Sequence, residues 1–366
     1  MKRLFCLVLP LFLLSGCAQS YRIENQAHAI SMGIDWHNGS MIVSVQAPNL
    51  GAPAGKKGES ESSSYQIYSA RAENFETAYN ILQSTLPQQL NLTHLKTIVF
   101  SEEFARSDQF IRTIETFMDV FLVTGSASVI VTEKTAQTLI ENQKPHIGIR
   151  LSITIPSMLS YHADNGYIPI TTLSALYTGL KGRYSTVLCP LADTATDSDI
   201  KNDPFMPGSI PREGDNKNEY MGACVFDREK MVGILNGYEM QLCYFLMGES
   251  NRIADFASPF AMRVSTRKKR DVKMEITQDQ VNIRITLYLD IATLEDGADL
   301  SAIEKRLVID FEKVMDKCKD MSVEPFGFAR CAARQFKDNR AFEDFDWLQK
   351  FKEANVEIRL RVNGES

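Results

Sequence analysis

The residues able to carry chemistry in this chain are few, and the clearest is a cysteine. Cys17 closes the stretch Leu14-Ser15-Gly16-Cys17, directly after Lys2, Arg3 and an apolar run that begins at Leu4. A charged start followed by about ten apolar residues is too short for a permanent membrane helix, which needs roughly 20, and has the form of a signal peptide. An ordinary secretory signal ends in an A-x-A-like pair. Here a small pair leads straight into cysteine, the pattern of a bacterial lipoprotein signal. A thiol is the side-chain nucleophile suited to take a diacylglyceryl thioether, so Cys17 is expected to become the lipidated first residue once residues 1–16 are removed. Each buried methylene contributes roughly 0.8 kcal/mol, and two or three acyl chains hold where one would not. The alternative is a plain secretory signal that happens to precede a cysteine.

Other candidate chemistry fails on spacing. The stretch GAPAGKKGES has the outline of a phosphate-binding loop, but Gly51 and Gly55 stand one residue too close. Lys57 also takes the place of the Ser or Thr that would bind magnesium. The acids Asp193, Asp197, Asp199 and Asp203 lack the D-x-D-x-D-G register and terminal Glu of a calcium loop, which leaves a solvated linker. The five histidines, at 28, 37, 94, 146 and 162, are scattered singly. His94, just before a strand, reads as a hydrogen-bonded structural residue, with a general base as the alternative. Glu102 and Glu103 open a helical turn, where negative charge favours the N-terminus without any catalytic purpose. No nucleophile elbow, H-E-x-x-H or dinucleotide turn is present, so no enzyme activity, metal or cofactor is expected.

Besides Cys17, the mature chain has five cysteines: Cys189, Cys224, Cys243, Cys318 and Cys331. Their number is odd, none forms C-x-x-C, and apolar neighbours such as those of Cys224 and Cys243 suit small buried hydrophobes. Disulfides between Cys224 and Cys243, or Cys318 and Cys331, are the alternative.

Composition narrows the function further. The formal charge of −6 becomes −8 once Lys2 and Arg3 leave with the signal. That argues against a nucleic-acid role and gives little attraction to anionic lipid, so the acyl chains must do the anchoring. With 44% hydrophobic and 23% charged residues, the chain is ordinary globular material. Its 350 mature residues exceed one hydrophobic core and imply two or three domains.

The elements follow from periodicity. Alternating runs at Ala29–Trp36 and Met41–Ala47 flank Asn38-Gly39, the strongest short hairpin signal. Strands are expected at Tyr65–Ala72, His94–Ser101, Ala127–Val131 and Ser185–Leu191. Helices are expected from Phe75 to Leu86, from Phe110 to Phe121, from Lys134 to Glu141, and across Arg150 to Gly182 with breaks near Pro156 and Pro169. The polar stretch 192–218 reads as a domain boundary. A hairpin at Tyr220–Phe226 and Met231–Leu235 follows, then an Asn236/Glu239 capping box opening the helix Tyr238–Met247. Strands come next at Phe260–Thr266, Val272–Ile276 and Gln280–Ile291, with the basic run Arg267 to Arg270 as a solvated turn. Helices at Asp299–Met321 and Phe326–Phe336 and a strand at Val356–Val362 close the chain. The expected fold is mixed α/β (α+β), with mixed sheets packed with helices in about three domains. The expected boundaries are signal peptide 1–16, N-terminal α/β domain 17–191, linker 192–218, middle hairpin-plus-helix subdomain 219–258 and C-terminal α/β domain 259–366.

Several stretches taken together resemble one family, the Ger(x)C lipoproteins, C subunits of spore germinant receptors. AISMGIDW is similar to the family's first strand, with its Gly-Ile/Leu-Asp element at Gly33, Ile34 and Asp35. LNLTHLKTIVFSEEFAR, from Leu90 to Arg106, resembles its best marker, a Ser/Thr-His-Leu/Met-Lys tetrapeptide leading into a strand and a Glu-Glu-Leu/Phe-Ala turn. MGACVFDREKMVGILN, from Met221 to Asn236, is similar to its Gly-x-x-Val-Phe hairpin. The ending, with Trp347 and a last strand closing on Gly364, also agrees. One departure is Ala18, where members often carry Trp after the lipidated Cys. The resemblance implies a non-enzymatic lipoprotein on the outer face of the spore inner membrane, docked on two polytopic subunits and touching a small-molecule germinant only indirectly. It makes Thr93, His94 and Lys96 a candidate structural or docking cluster. A solute-binding lipoprotein of an uptake system is the alternative function.

Overall fold

The computed structural model describes residues 25–48, 65–121, 123–143, 151–195, 203–210, 217–248, 253–256, 262–277, 280–293 and 299–365. Cys17, the signal peptide and the 51–60 stretch lie outside the described residues.

Ten strands build the first half: β1 (Gln26–His28), β2 (Ser31–His37), β3 (Ser40–Pro48), β4 (Tyr65–Ala72), β5 (Gln89–Asn91), β6 (Thr97–Ser101), β7 (Ser128–Thr132), β8 (Val187–Thr194), β9 (Asn218–Phe226) and β10 (Met231–Leu235). Eight of them form one mixed sheet in the order β10-β9-β8-β7-β6-β2-β3-β4, while β1 and β5 pair parallel to each other. The β2–β3 hairpin turns on Asn38 and Gly39, both at positive φ, as the sequence signal requires.

Between the strands lie α1 (Phe75–Thr85), α2 (Glu102–Ala105), α3 (Phe110–Asp119), α4 (Ala136–Glu141), α5 (Leu151–Asp164) and α6 (Leu173–Lys181). Period-two alternation sorts them onto two faces. Ile98 and Phe100 of β6 join the core under α1, α2, α3 and α6, whereas Val99 faces α4 and α5. The sequence breaks α5 at Pro156, yet the helix runs through it. Burial of Leu151, Ile155, Leu159 and Ala163 offsets the local cost of the proline.

The second half comprises α7 (Gly237–Met247), β11 (Ile253–Phe256), β12 (Met262–Ile276), β13 (Val281–Thr293), α8 (Leu300–Asp320), α9 (Phe328–Ala333), α10 (Asn339–Asp344), α11 (Trp347–Lys352) and β14 (Asn355–Glu365). Its sheet runs β11-β12-β13-β14, with β14 parallel to β13. The expected capping box is formed: Asn236 Oδ1 accepts from the Glu239 amide at 2.9 Å, and Glu239 Oε2 from the Asn236 amide at 2.8 Å. The two halves meet in β9, where Cys224 and Phe226 face the first core while Ala223 and Val225 face the second, shared with α7 and α8.

One expectation changes, that of the basic run. The described parts of 192–218 lie between β8 and β9, adjacent strands of one sheet, and 203–210 is tied to the start of α7. There Gly237 N–H donates to Phe205 O at 2.9 Å and Asn236 Nδ2 to Asp203 at 2.9 Å. The basic run is no turn: β12 continues through it with register shifts after Thr266 and Lys268, because β13 offers an unbroken partner. Its charges are drawn apart, Lys268 lying 3.6 Å over the Tyr288 ring and Arg270 turning inward over Phe328 to bond Phe326 O. The five described cysteines are free. Cys224 and Cys243 lie in different cores, and burial pushes the Cys318 thiol up to about 12.

Glu324 fastens the seam between the halves. Its N–H donates to Thr186 Oγ1 at 3.0 Å, and its carboxyl accepts from Ala329 N–H at 2.8 Å. Burial raises the carboxyl to about 7, more than the amides of Ala329, Phe328 and Phe326 and the charge of Arg270 can pull it down. A raised acid contributes its stability in full below the unfolded value of 4.5 and loses it as pH climbs toward about 7. Glu324→Gln keeps the acceptor and removes the titration. Urea unfolding across that window is therefore expected to show the parent losing stability relative to the variant as pH rises; parallel curves would refute the assignment.

Candidate functional site

The Gly-Ile-Asp element works by letting a helix sit on a strand. A Cβ on Gly33 would stand 2.8 Å from Ile140 Cδ1 and 3.2 Å from the Ala136 backbone, so only glycine admits α4 this close to β2. Two residues on, on the same face, Asp35 reaches the start of that helix. Its Oδ1 accepts from Ala136 N–H at 2.6 Å and its Oδ2 from Gln137 N–H at 3.1 Å. Burial raises the Asp35 carboxyl, and the two amides oppose the shift. This contact is invisible in sequence except as a carboxylate between Ile34 and Trp36, which must find a partner if buried.

The stretch from Leu90 to Arg106 fixes a loop and leaves its side chains outward. Leu92 and Leu95 are buried, and Thr93, His94 and Lys96 between and beside them are exposed. Asn91 Oδ1 accepts from Thr93 N–H at 2.9 Å and from Thr93 Oγ1 at 2.6 Å. Lys96 contributes its main chain: its N–H donates to Ile30 O at 2.8 Å, and its carbonyl accepts from Ser128 N–H at 2.9 Å. His94 stacks edge-on against His28 with centroids 4.9 Å apart. Burial and the neighbouring His94 lower the His28 pKa. The structure thus brings Thr93, His94 and Lys96 together on one exposed loop, and the hydrogen bonds that hold the loop come from Asn91 and the backbone. After β6, Ser101 Oγ accepts from Phe104 N–H at 3.3 Å and starts α2, whose Glu102 and Glu103 lie in its first turn. Arg106 then pairs with Glu102 at 2.8 Å.

In the hairpin from Met221 to Asn236, Gly222 adopts φ 90°, where a Cβ would meet Leu235 O at 2.5 Å. Asp227 Oδ1 accepts from the amides of Glu229 and Lys230 at 2.7 and 2.8 Å and closes the turn. Among the described residues no group of three or more His, Cys, Asp or Glu is placed to hold a metal ion. Among them, too, no helix is long and apolar enough to cross a membrane. The arrangement orders surfaces; it does not activate a nucleophile.

Comparison with known proteins places these features. Residues 19–194 match the family model described as spore germination protein N-terminal domain, and residues 221–363 match that described as spore germination B3/GerAC like, C-terminal. The chain belongs to the Ger(x)C family. It is a C-type germinant-receptor subunit, of a family of receptor components rather than enzymes. A putative spore germination protein of Bacillus subtilis (strain 168), YfkR, is 30% identical over 112 residues; the match spans 29% of each chain. The crystal structure of the GerBC protein aligns with a TM-score of 0.55 at 16% identity, over 92% of this chain and 97% of that one, and so shares the fold. In this Ger(x)C chain the N-terminal model ends with β8, and the C-terminal model begins inside β9. The C-terminal unit therefore lends the β9–β10 hairpin to the N-terminal sheet.

Removing Asp35 strands two helix amides, that of Ala136 buried and that of Gln137 half-buried. Asp35→Ala is expected to cost about 1–3 kcal/mol, while Lys96→Ala, on the exposed loop, stays within about 0.5 kcal/mol of the parent. Chemical denaturation measures both; equal effects would show that the site is not organised by Asp35.

Proposed function

We propose that this Ger(x)C subunit is anchored by an acylated Cys17 on the outer face of the spore inner membrane and docks on two polytopic receptor subunits, serving nutrient-triggered germination without contacting the nutrient itself. The observation that carries the reading is Leu-Ser-Gly-Cys placed directly after a charged start and a short apolar run. Support also comes from where the chain enters the fold. Only seven residues lie between Cys17 and Asn25, a span of at most about 30 Å. The strand that follows brings His28 against His94. The exposed Thr93, His94 and Lys96 therefore stand at the end of the body nearest its anchor, where partners embedded in the bilayer are within reach. Exposed polar side chains on a backbone held from beneath suit a preorganised docking surface.

Two substitutions in sporulating cells test this. Cys17→Ala is expected to move the protein from spore membranes to the soluble fraction and to abolish the nutrient response, leaving dipicolinate-triggered germination intact. Joint replacement of Thr93, His94 and Lys96 by alanine is expected to leave the protein on the membrane but reduce co-purification of the polytopic subunits. A Cys17→Ala protein that still sediments with membranes and germinates like the parent overturns the anchor. Undiminished co-purification from the triple variant overturns the docking surface.

A further inference from the structure

Among the described residues the most exposed large aliphatic side chains are Val120, 66% exposed, and Ile170, 58% exposed. Both stand at one end of the first sheet, and it is the end where the chain enters. There β1 and β5 run parallel and lead into the parallel strands β2 and β6. From that entry a row of main-chain bonds crosses the sheet. Lys96 N–H donates to Ile30 O at 2.8 Å, Ser128 N–H to Lys96 O at 2.9 Å, and Val129 N–H to Thr171 O at 2.8 Å. Ile170 is the neighbour of that last acceptor. Val120 arrives by another route: it caps the C-terminus of α3, whose chain returns through Ala127 to the start of β7. Leu173 N–H donates to Ala127 O at 2.9 Å and holds the two routes together. Beside Ile170 lies a cavity of about 320 Å³ whose lining carries no charged side chain. Ile170 and Ala175 are exposed on its rim, while Met240 and Tyr244 are buried at its floor.

A single exposed aliphatic side chain is ordinary, and it is the grouping that carries meaning. The two that project most share one end with an uncharged cavity and with the entry of the tether. Seven residues lie between Cys17 and Asn25, so a bilayer that holds acyl chains on Cys17 is within about 30 Å of that entry. We infer that this end of the body rests on the bilayer itself, with Val120 and Ile170 set into the headgroup region as a second contact beside the acyl chains. Apolar surface buried at the acyl boundary is stabilising. The uncharged cavity extends that surface behind Ile170 without bringing a charge against hydrocarbon. Asp119, exposed next to Val120, limits insertion to headgroup depth. An acyl anchor fixes where the chain is held; two inserted side chains fix which face of the body the membrane meets. They keep the loop of Thr93, His94 and Lys96 at the level of the headgroups. The inference rests on the acylated Cys17 and adds the orientation that the anchor leaves open.

Tryptophan depth measurements test it, on the acylated protein in phosphatidylcholine vesicles with and without lipids brominated on their upper acyl carbons. Val120→Trp and Ile170→Trp probe this end. Ile210→Trp, at a site 52% exposed in the parent, probes the opposite one, because Gly208 N–H donates to Glu219 Oε2 at 2.7 Å and Glu219 pairs with Asp193 at the far end of β8. Trp36 and Trp347 of the parent supply the baseline. All three variants replace exposed side chains and are expected to keep the parent's melting temperature. Bromine is expected to reduce the added emission of Val120→Trp and of Ile170→Trp by about twofold or more, as contact with the acyl boundary requires, and to leave that of Ile210→Trp unchanged. Iodide dissolved in the water is expected to give the reverse order. Flotation of the same samples reads the anchor separately. Protein that floats with the vesicles, while bromine quenches either Val120→Trp or Ile170→Trp no more than Ile210→Trp, overturns the inference and leaves the Cys17 reading standing. Protein that does not float overturns both.

Discussion

One strand serving two cores is the constraint on which the rest of the molecule depends. In β9 every second side chain belongs to a different hydrophobic interior: Cys224 and Phe226 pack with the helices of the first sheet, Ala223 and Val225 with α7 and the second sheet. Burying Val225 or Phe226 is worth roughly 1.5–3 kcal/mol each, and a slip of one residue would exchange the two sets. The turn at Asp227 and the tight approach of Gly222 to Leu235 lock that register. Fixing β9 fixes the angle of α7 through the capping box at Asn236, and α7 in turn seats α8.

The same economy governs the family's short motifs. Each meets a backbone requirement with a close approach or a local polar contact. Gly33 admits a helix and Asp35 caps it. Leu92 and Leu95 hold a loop from below so that its polar residues face outward. Electrostatics acts locally and structurally: the buried carboxyls of Asp35 and Glu324 both face backbone amides, which partly meet the cost of their burial.

Much of this was legible in the residues, for reasons that are themselves physical. The strands Tyr65–Ala72 and Met231–Leu235 were read with their observed limits because each is bounded by turn and loop residues, the Ser run before Tyr65 and Asp227 to Lys230 before Met231. The Asn236 and Glu239 box was legible because capping is local, confined to three successive peptide units. What escaped was set by distant partners. The course of β12 through Arg267 to Arg270 depends on β13, and the tie of 203–210 to α7 depends on Phe205 meeting Gly237. The candidate loop was found from its motif. Its fastening by Asn91 and the nearness of His28 to His94 required the β1–β5 pair, three residues each, too short to leave a periodic trace.

The pairing of β14 with β13 has a consequence for how the molecule is made. β14, ending at Glu365, lies parallel to a strand whose residues come some 70 positions earlier, so that side of β13 is covered only after α8 to α11 have been laid down. Until that stretch arrives, the flank of β13 stays open and the apolar side chains of Ile283, Ile285 and Leu287 wait for their neighbours. A polypeptide without β14 would carry a sticky, half-built interior, and quality control in the cell could tell it from the full fold by that surface alone.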